Sequence, residues 1–333
     1  MTGSQASVAS FEIVKGERTI PLLSEAEVER HLDLGQLLDG LEEGFRQLER
    51  GAVQSPPRPE ITIPGAGFSL AMSAWAPGMQ ICAKVVNVFE ANLDISLPSH
   101  LAMITLYDPQ TGATSCVMDG TYITGIRTAA SAVLSTRLLS RTDSQVATIV
   151  GAGVQAREHL RLLPMVRDFE RINICSLDDE HARRLAEHNE LARPCADIRA
   201  AVAESDVVCL ATHSPRPVIN AEWVRPGTHV SSVGYYPPDG ELPRALARSS
   251  RLVVETLDAF EPAPVGCADL TEADPRRAAT LGAVTLDPKL GRTSPEQITL
   301  YKAMGIGMED LIAANLAYTS AVQSATPTQT MTW

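Results

Sequence analysis

Residues 146–156 read VATIVGAGVQA, and this stretch constrains the fold more than any other. Five apolar or β-branched residues, Val146 to Val150, run straight into Gly151-Ala152-Gly153-Val154-Gln155-Ala156, and a helical pattern from Arg157 to Val166 follows at once. Strand, glycine turn and helix in that order form the context in which G-x-G-x-x-G/A carries meaning. Gly151 suits the tight turn after the strand, and Gly153 lets backbone approach a pyrophosphate with no Cβ in the way. Ala156 is small enough for the helix to pack close on a sheet. The free N–H groups and positive dipole end at the helix start, around Val154 and Gln155, then face the phosphates. The competing reading is a glycine-rich turn that only packs.

A chain of 333 residues is long enough for two domains with real cores. Its net charge of -12 argues against nucleic acid or an anionic membrane surface as a partner. An anionic substrate must therefore be caught by locally placed Arg or Lys. No apolar run approaches the roughly 18 residues of a membrane span. The opening MTGSQASVAS lacks the basic and apolar regions of a signal peptide and reads as a flexible tail. The polar segment Thr326–Trp333 is likewise expected to be disordered. The six cysteines form no C-x-x-C pair and lie mostly in apolar stretches, so reduced core thiols and a cytoplasmic location are expected. No metal site is expected from them, and none of the seven histidines has metal-like or triad-like spacing.

Before the glycine turn, Phe11–Val14, Thr19–Leu23, Phe68–Trp75, Gln80–Val88, Leu101–Tyr107 and Ala113–Met118 read as strands. The last four are joined by turns without helices, which predicts an antiparallel or mixed sheet. Ser24 with Glu27 has capping-box spacing, and Leu34–Leu48 is apolar at helical spacing and stops at Gly51. Thr121–Leu139 is a long Ala-rich helix. After the turn, strands at Ile172–Ser176, Val207–Thr212, His229–Val233 and Arg251–Glu255 alternate with helices at Asp179–Asn189 and Asp197–Ala203. That alternation predicts a doubly wound parallel sheet. Leu257–Pro288 is irregular, and a helix from Met308 to about Ala321 closes the pattern.

Three cations stand apart from ordinary surface charge. Lys84 sits inside the apolar strand pattern ICAKVVNV, where an unpaired buried ammonium is costly, so it serves a site or a carboxylate unless it lies on a sheet edge. Partial desolvation would bring its pKa toward the working range. Arg58 lies between Pro57 and Pro59 on a stiff, extended backbone and suits bidentate capture of a carboxylate, or is a surface loop arginine. Arg127 lies in the helix before the dinucleotide strand, within reach of substrate and cofactor, or makes a structural ion pair. His213 follows the apolar strand Val207–Thr212, at a strand end where such folds place ligands. A G-x-S-x-G elbow and a Walker lysine are absent, which disfavours nucleophilic and nucleotide hydrolysis.

These segments resemble the ornithine cyclodeaminase / mu-crystallin family from about Leu22 to Tyr318. The matching stretches are AKVVNVFEAN with Lys84 and Asn87, YDPQTG at 107–112, TGIRTAA at 124–130, IVGAGVQA at 149–156, THS at 212–214, SSVG at 231–234, and Ser294-Pro295-Glu296 with ITLYK at 298–302. The resemblance implies an α/β fold: a Rossmann doubly wound parallel sheet over 129–297, plus a discontinuous α+β substrate-binding and dimerisation domain, 1–128 with 298–333. It implies a homodimer, bound NAD or NADP, and substrates that are amino acids or related imines. Position by position, Lys84 and Arg127 match the family's substrate-binding lysine and arginine, and Arg58 its first carboxylate-binding arginine. Arg127, Thr128 and the turn through Gly151, Gly153, Val154 and Gln155 match cofactor contacts, with Thr212 and Ser232 in the further matching stretches.

The resemblance breaks at one place. Family cyclodeaminases and alanine dehydrogenases carry an aspartate two positions after the VG of the SSVG-like strand, where this chain has Tyr236. A tyrosine is neutral at pH 7 and does not pair with a substrate ammonium as a carboxylate does. Asp239, three residues on, is the candidate replacement beside Lys84 and Arg127, unless it only turns the chain before Gly240. For the cofactor, Ser176 occupies the usual acidic position at the second strand's end, no arginine follows at Leu177, and Asp178 would repel a 2′-phosphate. The balance falls to NAD. The expected activity is NAD(P)-dependent oxidoreduction of an amino acid or its 2-imino or 2-oxo counterpart. A cyclodeaminase-type lyase with internally recycled NAD and a non-catalytic binding protein are the alternatives.

Overall fold

The structure is a computed structural model that describes residues 19–324 and 329–332. The strand expected at Phe11–Val14 and the tail before it lie outside the described residues. The chain starts with β1 (Thr19–Leu23), α1 (Glu25–His31) and α2 (Leu34–Glu49). The Glu27 carboxylate accepts from the Ser24 N–H at 2.9 Å and from its hydroxyl at 2.7 Å, fixing the start of α1. The strands β2 (Glu60–Ile63), β3 (Gly67–Ala74), β4 (Ile81–Val88), β5 (His100–Tyr107) and β6 (Thr114–Asp119) follow as an antiparallel meander. β1 adds to β6 in parallel. Along β4 the side chains alternate, with Cys82, Lys84, Val86 and Val88 buried and Val85 and Asn87 exposed, so the sheet has one covered face and one open face.

α3 (Thr121–Leu139) leads to the second sheet. Its small and apolar residues Ile123, Ile126, Ala130, Val133 and Leu134 are all fully buried, so it is a core helix shared by both halves. The second half comprises β7 (Val146–Val150), α4 (Val154–Leu162), β8 (Arg171–Cys175), α5 (Asp179–Ala186), β9 (Ala192–Pro194), α6 (Ile198–Glu204), β10 (Val207–Leu210), β11 (His229–Ser232), α7 (Arg244–Ser249), β12 (Arg251–Val254), β13 (Ala279–Thr280), α8 (Leu281–Leu286) and β14 (Thr299–Lys302). These strands make a sheet in the order β13-β12-β14-β11-β10-β7-β8-β9, with every pairing parallel. The Rossmann α/β class expected from the alternation is what the chain adopts. The order reverses between β7 and β10, and such switch points are where these sheets bind ligands.

The chain then enters α9 (Gly307–Gln323), which packs on β3 and β4, and ends in β15 (Gln329–Thr332). β15 pairs antiparallel with β1, so part of the C-terminal segment expected to be disordered is an edge strand of the first sheet. The domain limits expected from the sequence also need moving. β14 lies past 298 yet pairs with β11 on one side and β12 on the other, so the parallel sheet keeps the chain to Lys302. At the other limit, 128/129 falls within the continuous helix α3.

Candidate active site

The glycine turn sits at the switch point. Gly151 has φ +124°, and a Cβ there would stand 2.3 Å from the Ala211 carbonyl at the end of β10, so only glycine fits. Its N–H donates to the Cys175 carbonyl at 2.8 Å, tying β7 to β8. Gly153 differs: a Cβ there would meet nothing within 4 Å, and the residue caps the start of α4. Open space over a helix N-terminus is the cradle a dinucleotide pyrophosphate needs, and Val154 is exposed beside it. Ala156 is fully buried against the sheet. Gln155 is turned away, its amide donating to the Gly125 carbonyl at 3.2 Å. The turn touches α3, because a Cβ on Gly125 would lie 3.1 Å from Val154 Cγ1. Thr128, one turn along α3 from Gly125, lies on the same face of the helix, whereas Arg127 is directed to α9. The Thr128 hydroxyl donates to the Thr124 carbonyl.

Arg127 and Lys84 converge on one carboxylate that sequence reasoning did not single out. Asp310 Oδ1, in the first turn of α9, accepts from Lys84 Nζ at 2.7 Å and from Arg127 Nε at 3.1 Å. Glu309 Oε2 accepts from Arg127 Nη1 at 2.6 Å. All four side chains are buried. Burial, and then the nearby Arg127 charge, push the Lys84 ammonium down to about 8, against the pull of Asp310. Burial opposes the Arg127 charge as well, but Asp310 and Glu309 outweigh it and hold its pKa above the ordinary arginine value. Arg127 has five N–H donors, and its Nη2 is left for another acceptor. Arg58 closes the same end. It donates to the carbonyls of Pro264 at 3.0 Å and Gly305 at 2.8 Å and to that of Met304. Together with Met72, Glu255 and Gly305 it lines a cavity, so its guanidinium braces backbone here rather than standing free.

A second buried network lies under the carboxyl ends of β10, β11 and β14. The Glu241 carboxylate accepts from the Thr212 N–H and hydroxyl, both at 2.7 Å, and from the Ser232 hydroxyl and Gly234 N–H, both at 2.8 Å. Lys302 Nζ donates to the Gly234 carbonyl at 2.6 Å and pairs with Asp269 Oδ2 at 2.8 Å. Thr212 and Ser232 therefore sit at the ligand edge, but their hydroxyls are held by Glu241 and shape the floor rather than reach into it. Lys302 carried the same signal as Lys84, a lysine in an apolar run, and could have been found by it.

At the rim, Asp239 does not join Lys84 and Arg127. Its carboxylate pairs with Arg244 at 2.8 Å, in the turn before Gly240. His213 Nε2 lies 2.6 Å from Glu90 Oε1, bridging the two halves, and its ring is 4.4 Å from that of Tyr236. Asp178 caps α5, accepting from the Glu180 and His181 N–H groups, with Leu177 fully exposed beside it. Among the described residues no group of three His, Cys, Asp or Glu is placed to hold a metal, and no helix is long and apolar enough to cross a membrane.

The ketimine reductase mu-crystallin of Mus musculus is 32% identical over 312 residues, covering 91% of this chain and 98% of that one. The Δ1-pyrroline-2-carboxylate reductase of Thermococcus litoralis, solved in complex with NADH and L-proline, superposes with a TM-score of 0.86 at 32% identity, covering 92% of this chain and 99% of that one. An archaeal alanine dehydrogenase dimer with bound NAD gives 0.85 at 28% identity, covering 94% and 99%. The sequence profile of the ornithine cyclodeaminase/mu-crystallin family matches residues 19–325, and the chain belongs to that family.

Proposed function

We infer that the protein is an NAD(P)-dependent oxidoreductase that reduces the C=N bond of a 2-imino acid, or forms the corresponding amino acid by reductive amination. The observation that carries this reading is that Lys84 and Arg127 meet on one buried carboxylate, with Arg127 on α3, the helix that touches the glycine turn. Arg127, with Nη2 unused, holds the substrate carboxylate, and Arg58 confines it from the other side once it exchanges a carbonyl for the ligand. Lys84, poised near 8, donates a proton toward the substrate nitrogen or hydrogen-bonds its carboxylate. The Gly151–Ala156 turn and the α4 N-terminus hold the dinucleotide, which when bound supplies or accepts the hydride. The Glu241 network fixes the strand ends beside it. Tyr236 in place of the cyclodeaminase aspartate speaks against ornithine cyclodeamination.

NAD is the preferred cofactor, because Leu177 offers no cation to a 2′-phosphate and Asp178 repels one. A homodimer forms through the open face of the first sheet, where Val85 and Met103 stand opposite each other and Leu101 extends the apolar patch. All six cysteines are free thiols, which suits a reducing cytoplasm. The test is NADH and NADPH oxidation against cyclic 2-imino acids and against 2-oxo acids with ammonia or methylamine. Net NADH consumption with an imine is expected. Ammonia release from ornithine without net cofactor change would overturn the assignment in favour of a lyase.

A further inference from the structure

Between β14 and α9 the chain runs through residues 303–306 without regular structure, so its N–H groups need partners outside the helix and the sheet ladder. Glu255, just after β12 and 3% exposed, satisfies two of them, and the reaction described above does not use it. Its carboxyl accepts from the Met304 N–H at 2.8 Å and from the Gly305 N–H at 2.8 and 3.1 Å. Gly305, held in this way, stands between the two arginines of the site. Its carbonyl accepts from Arg58 Nη1 at 2.8 Å, and the Met304 carbonyl accepts from the same nitrogen. Arg127 packs against the Gly305 Cα. The residue has φ +79°, and a Cβ there would lie 2.5 Å from Arg127 Nη1, 3.0 Å from Nη2 and 3.2 Å from Cζ. The guanidinium therefore fills the place a side chain would take, while Glu309 and Asp310, a few residues further along the same segment, hold its Nη1 and Nε.

Arginine grips a carboxylate best when its planar fork is already held in one orientation, because less freedom is then lost on binding. Here one peptide unit touches both forks, and a buried carboxyl fixes that peptide. We propose that Glu255 and Gly305 are positioning residues: Glu255 anchors the Gly305 backbone, and Gly305 sets Arg58 and Arg127 in register for one substrate carboxylate. Neither residue touches the substrate in this scheme. The proposal rests on the reading of Arg58 and Arg127 as the carboxylate-binding pair.

The test measures the affinity of the NADH complex for pyrrole-2-carboxylate, a planar carboxylate probe, beside the affinity for NADH itself. Gly305→Ala drives a Cβ into the Arg127 guanidinium and should weaken probe binding about tenfold or more, with NADH affinity within about twofold of wild type. Gly78→Ala is the control: Gly78 has φ +83° and nothing within 4 Å of a Cβ, so the variant carries the same backbone strain without the collision and should keep both affinities. Glu255→Gln and Glu255→Ala remove the same carboxyl, so their ratio reports the hydrogen bonds rather than the charge. The glutamine amide oxygen still accepts from the Met304 and Gly305 N–H groups, and Glu255→Gln should bind the probe about tenfold or more tighter than Glu255→Ala. Wild-type probe affinity in Gly305→Ala, equal probe affinities in the two Glu255 variants, or a parallel loss of NADH and probe overturns the proposal. If Gly305→Ala does not fold, the Glu255 pair decides alone. Wild-type protein that binds NADH but not the probe overturns the carboxylate pocket itself, and the positioning role with it; a wild type that binds both, with variants that fail these expectations, overturns the positioning role only.

Discussion

Asp310→Asn separates the contribution of Lys84 from that of mere burial. At 2.7 Å the Lys84–Asp310 attraction is roughly 6 kcal/mol at an effective dielectric of about 20, more than four pKa units. The asparagine amide oxygen still accepts a hydrogen bond and keeps part of this. A downward shift of about two units is therefore expected, taking Lys84 from about 8 to roughly 6. The sign is set by the ammonium, which exists below its pKa and is lost as pH rises through it. In wild type the alkaline limb of kcat/KM should fall near pH 8; in the variant it should fall near pH 6, costing about tenfold at pH 7. The assay is imine-dependent NADH oxidation from pH 5.5 to 9.5, read as the variant-to-wild-type ratio at each pH so that the substrate's own titration cancels. Breaking a buried pair also costs about 3–5 kcal/mol of stability, so folding is checked by circular dichroism at each pH. A folded variant with an unmoved alkaline limb would refute the role given to the Lys84 ammonium.

Gly153→Val should fold, because its backbone is extended and nothing lies within 4 Å of the new Cβ, yet weaken NADH binding tenfold or more, about 1.4 kcal/mol, by filling the cradle; fluorescence titration reads it. Met103→Asp places a charge in the middle of the open sheet face proposed for dimerisation, and light scattering should show a dimer for wild type and a monomer for the variant. His159 and His229 are buried, which lowers them to about 4 and about 3, so each is neutral in the folded state. Their stabilisation is complete above about pH 6.5 and lost as pH falls toward those values, about 3 kcal/mol or more each. Urea midpoints should therefore decline steeply between pH 6.5 and 4, and a flat profile there would refute it.

Local pattern made the glycine turn, the meander and α3 legible, because strand alternation, glycine turns and helical spacing are properties of neighbours in sequence. The buried lysine was legible for the same reason: a charge in an apolar strand signals a partner even when the partner is unknown. β14 and β15 were not, since their strand character comes from the neighbours that accept them. Sequence alone thus determined that a dinucleotide fold is present and that Lys84 and Arg127 are special. Only tertiary structure decided that Asp310 and Glu309, some 180 to 225 residues further along the chain, are what those cations meet. It also engaged Asp239 with Arg244 and turned Thr212 and Ser232 onto Glu241. The physical reason is that desolvated charges are paired by proximity in space, which α9 creates by returning to the first sheet, and no spacing in the chain encodes that distance.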